Sequence, residues 1–273
     1  VMTKLSSNPK VSVIMSVYNA EQTLREAIDS ILKQTYTNWE FVICDDCSSD
    51  GSDAIMPENG GKYPGKFILL HNTENKRLSH SLNRCLKCAS GELIARMDAD
   101  DISVESRFEK QVDYLLSHPE SMVVGTTMRR FDSNGLHDVV KIPEYPDKNL
   151  LKKGVPFCHA TIMMRKEAYD AVNGYKESNM TIRSQDYDMW FRFYKCGFEG
   201  YNMQEPLYLV REDVNAIKRR TFNNRLNIMR IQFNGFKLIN APWIWYFFPL
   251  IQFMKAFVPA RLILLYRFVQ TKK

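Results

Sequence analysis

The sequence has no Gly-x-Gly-x-x-Gly after its first apolar stretch and no Gly-x-x-x-x-Gly-Lys-Ser/Thr anywhere. Neither a dinucleotide-binding Rossmann fingerprint nor a P-loop is therefore supported. It also lacks an unbroken run of about 20 apolar residues, the length a spanning helix needs. Val1 to Lys10 contains no apolar h-region, so no secretory signal is expected. Cysteine is scarce, six in 273 residues, too few for a disulfide scaffold and in keeping with a reducing compartment. Cys44-x-x-Cys47 and Cys85-x-x-Cys88 have the local spacing of zinc ligands. Cys44, however, ends the apolar run Phe41-Val42-Ile43, and Cys85 continues a helical stripe of Leu78, Leu82, Leu86 and Ala89. The interval between the pairs also exceeds that of common zinc ribbons, which argues against a zinc site.

What is present reads as a globular protein, 45% hydrophobic and 25% charged, one large domain or a domain with an appendage. Val11 to Val17 suits a buried strand ending at Tyr18-Asn19, with Asn19 and Gln22 as a capping box for the next helix. Leu24, Ala27, Ile28, Ile31 and Leu32 form one face of that helix. Phe41 to Cys44 is a second strand, Phe67 to His71 a third, Leu78 to Ala89 a helix, and Glu92 to Met97 a further strand. This alternation predicts an α/β fold with a parallel, doubly wound sheet.

The last of these strands runs straight into Asp98-Ala99-Asp100-Asp101. Carboxylates are costly to bury without a cation or hydrogen-bond donors, and the carboxyl ends of strands are where ligands bind in open α/β sheets. An Asp-x-Asp there offers hard oxygen ligands to Mg²⁺ or Mn²⁺, which would hold a diphosphate. A solvated acidic turn capping a helix is the bland alternative. Ser16, Tyr18, Asp46 and Asp100 all follow strands, and the topology predicts that they converge on one crevice.

Four stretches carry a family resemblance: Val11 to Asn19, Ile31-Leu32-Lys33-Gln34-Thr35-Tyr36, Cys44-Asp45-Asp46-Cys47-Ser48-Ser49-Asp50-Gly51-Ser52, and Ala95-Arg96-Met97-Asp98-Ala99-Asp100-Asp101. In this order they resemble the family 2 inverting nucleotide-sugar glycosyltransferases, from about Val11 to about Val210. The resemblance implies a GT-A fold with a Rossmann-like, mostly parallel central sheet, a nucleotide-diphospho-sugar donor (uridine being the commonest base) and a divalent metal. It implies that Asp46 accepts from the base, that Ser16 and Tyr18 line the base and ribose pocket, that Asp98 holds ribose, and that Asp100, with Asp98, serves the metal. Asn83 matches a pocket-lining position. Arg77 departs from the pattern, standing where many relatives have glycine in the Asn-x-Gly-Leu turn.

Ser103 is placed to cap a helix whose inner face is Phe108, Val112, Leu115 and Leu116, with Arg107 and Gln111 as scaffold. Met122 to Thr127 reads as a strand and Phe131 to Lys153 as a polar, proline-broken loop. His159 precedes an apolar strand, and its family counterpart lies near the active site, as an orienting group or an acceptor contact. Ser184 and Gly197 bound a helix in which Asp186 occupies the first turn, with Trp190 and Phe193 on its face. Complementing the helix dipole is the plain use of an acid there; the resemblance to the family's Glu-Asp motif implies that Asp186 is the general base. Gln185 stands where many relatives have Glu, and Gln185 and Trp190 are further candidates for acceptor or supporting contacts. Arg211, or the cluster Lys218-Arg219-Arg220, could clamp the diphosphate. The Gln-x-x-Arg-Trp motif of processive relatives is absent, which points to transfer of a single sugar.

The net charge of +6 is concentrated at the C-terminal end. After Arg211 the acids are Glu212 and Asp213, against eleven lysines and arginines. From Pro242 to Val269 aromatic and apolar residues dominate, interrupted by Pro249 and Pro259 and interleaved with Lys255, Arg261 and Arg267. That pattern predicts helices lying in the headgroup region of an anionic leaflet, with a packed core or oligomer interface as the other use. The division expected is a GT-A domain over 1–212 and a basic, aromatic-rich helical segment over 213–273. The reading is a cytoplasmic, peripheral membrane enzyme that uses a lipid-linked glycan acceptor in surface-polysaccharide synthesis, such as O-antigen or capsule. A non-catalytic scaffold of the same fold at the membrane is the alternative. No ordered basic motif supports nucleic-acid binding.

Overall fold

The computed structural model describes residues 3–56, 63–212 and 222–254. Four strands make the N-terminal half: β1 (Val11–Val17), β2 (Trp39–Asp45), β3 (Phe67–His71) and β4 (Leu93–Arg96). They lie in the order β3-β2-β1-β4, all parallel, with Val13 beside Phe41 and Ala95 in register. Two helices make the crossovers, α1 (Leu24–Leu32) from β1 to β2 and α2 (Arg77–Cys88) from β3 to β4.

Beyond β4 the sheet is mixed, and here the expectation of a mostly parallel sheet needs correcting. The strands are β5 (Ile102–Ser103), β6 (Ser121–Asp132), β7 (Gly135–Val140), β8 (Met163–Arg165) and β9 (Glu199–Arg211). β8 runs antiparallel to β4 and β6, β5 antiparallel to β9, and β7 antiparallel to β6; only β6 and β9 pair in parallel. The helices here, α3 (Arg107–Ser117), α4 (Lys166–Ala171) and α5 (Gln185–Lys195), therefore do not repeat the strand-helix-strand unit of the first half. The loop expected from Phe131 also begins as a hairpin, because β6 continues past Thr127 by pairing with β9 and turns back as β7.

Alternation along the strands fills both faces. Val13, Met15, Phe41, Ile43, Leu93 and Ala95 join Leu24, Ile28, Phe108 and Leu115 of α1 and α3 in one buried cluster. Ile14, Val42, Cys44, Ile94 and Met164 join Leu82 of α2, Tyr169 of α4 and Trp190 of α5 in the other. A period of two places alternate residues on opposite faces, and helices cover both. The capping box is not formed: α1 starts at Leu24, and Asn19 instead takes a positive φ of 50°.

Two further helices, α6 (Phe222–Leu238) and α7 (Phe247–Met254), flank a 3-10 turn at Trp243–Tyr246. Phe236 and Trp245 belong to the same buried cluster as Trp190. Close contact between α6 and α5 needs Gly235, where a Cβ would lie 2.3 Å from the Phe191 ring. Trp243, Ile244, Phe247, Leu250, Ile251 and Met254 are exposed. Among the described residues no helix is long and apolar enough to cross a membrane. The expected boundary at 212/213, the Lys218-Arg219-Arg220 cluster and the chain from 255 to 273 fall outside the described residues.

At the amino end of the sheet a buried carboxylate ties three segments. Glu40 on β2 accepts from Ser12 Oγ (2.6 Å) and from the Ser90 backbone N–H (2.7 Å), and pairs with Lys10 (2.5 Å). Beside it Gly91 N–H donates to Ser12 Oγ at 2.8 Å, and a Cβ at Gly91 would stand 2.5 Å from the Lys10 carbonyl oxygen. Burial acts to raise the Glu40 pKa, but the bonds from Lys10, Ser12 and Ser90 outweigh it and hold the carboxyl down at about 2. A carboxyl depressed on folding stabilises above its unfolded pKa of about 4.3, and that stabilisation is lost as pH falls toward 2. Glu40→Gln is accordingly expected to cost about 1–3 kcal/mol at pH 7. In urea titrations at decreasing pH, the gap from the parent protein should close between about pH 4.3 and 2.

Candidate active site

The carboxyl ends of β1, β2 and β4 open on one cavity of about 490 Å³. Ser16 and Tyr18 from β1 and its exit, Asp46 after β2, and Asp98 and Asp100 after β4 all line it. The parallel register produces this meeting, since strands that run the same way deliver their exits to the same edge. Asn75, Arg77, Ile182 and Arg183 complete the walls with others.

Asp46 is buried and fully engaged. Its Oδ1 accepts from Asn72 Nδ2 (2.6 Å) and the Lys76 backbone N–H (2.8 Å), and its Oδ2 from the Arg77 N–H (2.7 Å). Asn72 is itself held by Ser81 (2.9 Å) and by Arg84 (2.5 Å). The carboxylate thus shapes the turn into α2 while lining the cavity. Among the described residues five non-glycine positions have positive φ; Asn19 and Arg77 line the cavity, and Cys47 adjoins Asp46. Backbone strain of this kind gathers at functional sites.

The three acids after β4 have different surroundings. Asp98 pairs with the buried Arg96, and its N–H donates to Tyr208 Oη at 3.1 Å. Asp101 is buried and accepts from the Arg211 N–H at 2.8 Å. Burial first, then the charges of Asp98 and Asp100, push its carboxyl up to about 8. Asp100 faces the cavity, and among the described residues nothing beyond its own backbone is recorded as donating to its carboxylate. Desolvation and the Asp98 charge raise it above the ordinary carboxylate range. An exposed carboxylate without a donor from another described residue, two residues from a second one, suits a hard divalent cation, which commonly takes one or two carboxylates and completes its shell with substrate phosphates and water. Two clusters elsewhere also bring three possible cation ligands together, Asp45-Asp53-His71 and Asp132-His137-Glu212. Neither contains a cysteine, and all six cysteines are free.

Asp186 lies in the first turn of α5, and its Oδ1 accepts from the Tyr187 N–H at 2.8 Å. Burial raises its pKa; the Asp98 charge adds to the rise, while Arg96 opposes it. It is absent from the lining of the cavity, but the stretch leading into its helix supplies Ile182 and Arg183 to that lining. His159 packs edge-on to Trp190, centroids 5.6 Å apart, and its Nε2 lies 2.8 Å from Tyr175 Oη. Burial and then Arg96 push the imidazole down to about 3, so it is neutral at pH 7. Trp190 is fully buried, so it can support an acceptor only from beneath. His159 Nδ1, Trp190 Nε1 and Gln185 Oε1 are buried without a partner.

Two expected donor contacts are absent from the lining of this cavity. Asn83 exchanges bonds with the Tyr175 backbone (2.8 Å each way) and donates to Glu177 (2.8 Å), lining a separate cavity of about 870 Å³. Arg211 spends its side chain on the Asp100 carbonyl (2.9 Å) and on Glu26. Sequence reasoning passed over Arg96, Tyr208 and Arg183. An arginine inside the strand pattern Leu93-Ile94-Ala95-Arg96 was a usable signal, since a buried guanidinium requires anionic or carbonyl partners. Tyr208 and Arg183 left none, because what brings them to the site is packing between distant segments.

Comparison with known proteins adds independent findings. A family model described as glycosyl transferase family 2 matches residues 12–172, more than half of the chain. The putative glycosyltransferase EpsE of Bacillus subtilis (strain 168) is 44% identical over 256 residues, 94% of this chain and 92% of that protein. The O-antigen biosynthesis glycosyltransferase WbnJ of Escherichia coli is 33% identical over 189 residues, 67% of this chain and 70% of that one. Among solved structures, S. aureus TarS 1-349 in complex with UDP is similar at a TM-score of 0.66 and 19% identity, over 93% of this chain and 73% of that one. The mannosyltransferase PcManGT from Pyrobaculum calidifontis, in complex with GDP-Man and Mn²⁺, gives 0.63 and 20%, over 98% and 82%. These two likenesses show the fold.

Asp46→Asn replaces an acceptor oxygen with an NH₂ group facing backbone N–H donors. A loss of about 1–3 kcal/mol of stability is expected in urea unfolding, together with weaker retention on an immobilised nucleoside diphosphate.

Proposed function

The chain belongs to glycosyl transferase family 2 and is a glycosyltransferase with a GT-A-like fold, and we propose that it moves a single sugar from a nucleotide-diphospho-sugar, with inversion, to a hydroxyl of a lipid-linked glycan. The observation that carries this reading is the convergence of Ser16, Tyr18, Asp46, Asp98 and Asp100 on one polar cavity at the strand ends. Two relatives support the polysaccharide context: WbnJ is named for O-antigen biosynthesis, and AmsE of Erwinia amylovora, 28% identical over 218 residues, for amylovoran biosynthesis.

In this reading Tyr18 and Ser16 pack the base and ribose, Asp46 reads the base edge through the turn it organises, and Asp98, oriented by Arg96, holds ribose. Asp100 and Asp98 hold Mn²⁺ or Mg²⁺, which supplies positive charge to the departing nucleoside diphosphate. Asp186 takes the proton of the acceptor hydroxyl as its oxygen bonds the anomeric carbon and the bond from that carbon to the phosphate oxygen breaks. The raised pKa of Asp186 brings it nearer to neutrality, which strengthens a general base. His159 and Tyr175 pack beside Trp190 and steady the first turns of α5 from below.

The exposed side chains of Trp243, Ile244, Phe247, Leu250, Ile251 and Met254 form the surface proposed to rest on the anionic cytoplasmic leaflet, to which the basic composition of the chain beyond Arg211 is suited. There the enzyme would meet an acceptor carried on a lipid diphosphate. The 213–273 segment is proposed as this membrane- or acceptor-contacting part; its helix α6 packs against α5 of the catalytic body proposed over 1–212.

Asp186→Asn should lower transfer by at least about 10²-fold while donor affinity, read by calorimetry with Mn²⁺, stays within about twofold; lost donor affinity would reassign Asp186 to the pocket. Absence of turnover by the unaltered protein with every donor-acceptor pair tried would favour the scaffold reading. Replacing the exposed Trp243, Phe247, Leu250 and Ile251 together with serine leaves the buried Trp245 in place and should stop co-flotation with anionic vesicles; continued flotation would remove the membrane assignment.

A further inference from the structure

Arg77 sits at the turn into α2 with φ of 71°, in the left-handed region. Glycine adopts this conformation freely, whereas a residue with a β-carbon is strained there. Of the other non-glycine residues with positive φ, three are asparagines, which tolerate it, and one is Cys47. A long branched cation is thus the least suited to its backbone. Asp46 enforces the conformation by accepting from the N–H groups of both Lys76 and Arg77. The chain therefore keeps a strained arginine at a place where glycine would be easier, on the wall of the cavity that holds Asp98 and Asp100.

Arg183, from the stretch entering α5, lines the same cavity, and both arginines are exposed. Among the described residues neither guanidinium is recorded with a hydrogen bond, an ion pair or an aromatic ring beneath it. The cavity's acids do not neutralise them. Asp46 is filled by N–H donors, and Asp98 is paired with Arg96. Arg211 is committed to Glu26 and the Asp100 carbonyl. Two unpaired guanidinium groups beside a carboxylate that suits a divalent cation are complementary to a dianion with several oxygens in a row, and guanidinium groups bind phosphate oxygens in a bidentate manner.

We propose that Arg77 and Arg183 together clamp the diphosphate of the nucleotide donor, and that Arg77 is retained in its strained position for that contact. This rests on the nucleotide-sugar reading of the cavity. It gives the clamp to two residues of the cavity wall, neither of them Arg211.

Arg77→Gly separates strain from function. It should raise the melting temperature by about 2–4 °C while weakening binding of UDP or GDP, whichever the parent binds more tightly with Mg²⁺, by about 10- to 100-fold. Arg77→Lys keeps strain and charge but loses the fork, so it should melt as the parent does and bind with intermediate affinity. Arg183→Met should weaken binding without the thermal gain. Parent-like affinity in Arg77→Gly would overturn the clamp, and so would a lower melting temperature, which would make Arg77 a support of the fold. If the parent protein bound neither nucleotide, the donor reading itself would fall and the clamp with it.

Discussion

Three carboxylates within four residues at the end of a buried strand cannot all be solvated, and the fold resolves this by treating each one differently. Asp98 is paired with Arg96, a guanidinium set within the sheet. Asp101 is buried against a backbone N–H, and burial together with the charges of Asp98 and Asp100 raises its pKa above the ordinary carboxylate range. Asp100 alone is left facing the cavity without a donor from another residue among the described ones. Burying charge unpaired would cost several kcal/mol, and the arrangement leaves one carboxylate free for a ligand.

That resolution depends on both halves of the sheet. β4 brings the acids to the edge shared with β1 and β2, while β9 brings Tyr208 and Arg211 against them from the other side. Arg107 is buried beneath, donating to the Arg96 carbonyl at 2.9 Å and held down to about 10 by desolvation. It touches no carboxylate recorded among the described residues, so its role is to bind carbonyls where α3 meets β4 and the 3-10 turn His159–Thr161. The acidic turn is thus built as much by buried cations as by its own sequence.

The first half of the chain was readable because its signals are local. The apolar runs in Val11 to Val17 and Phe41 to Cys44, and the stripe along Leu24–Leu32, became the strands and helix they indicated, the second strand extending over Trp39–Asp45. Asn19 misled because a short polar side chain after a strand suits a helix cap and a left-handed turn equally well; here it accepts from the Ser49 N–H at 2.8 Å. Asn83 misled for a different reason. Its position matched a pocket-lining residue, yet the segment near Tyr175 folded over it and consumed its amide. Strand direction beyond β4 was also illegible, because a short strand such as Met163–Arg165 has the same alternation whichever way it runs.

The sequence by itself determined the strand-and-helix alternation to Arg96, the placing of three acids at the end of β4, and the helix that carries Asp186, since each follows from residue spacing within a few residues. Only the tertiary structure decided that the second half of the sheet is mixed, that Arg211 is occupied while Arg77 and Arg183 have no partner among the described residues, and that α6 and Trp245 pack into the main core. Those outcomes rest on which distant side chain reaches a group first, and contacts between segments a hundred residues apart leave no periodic trace along the chain.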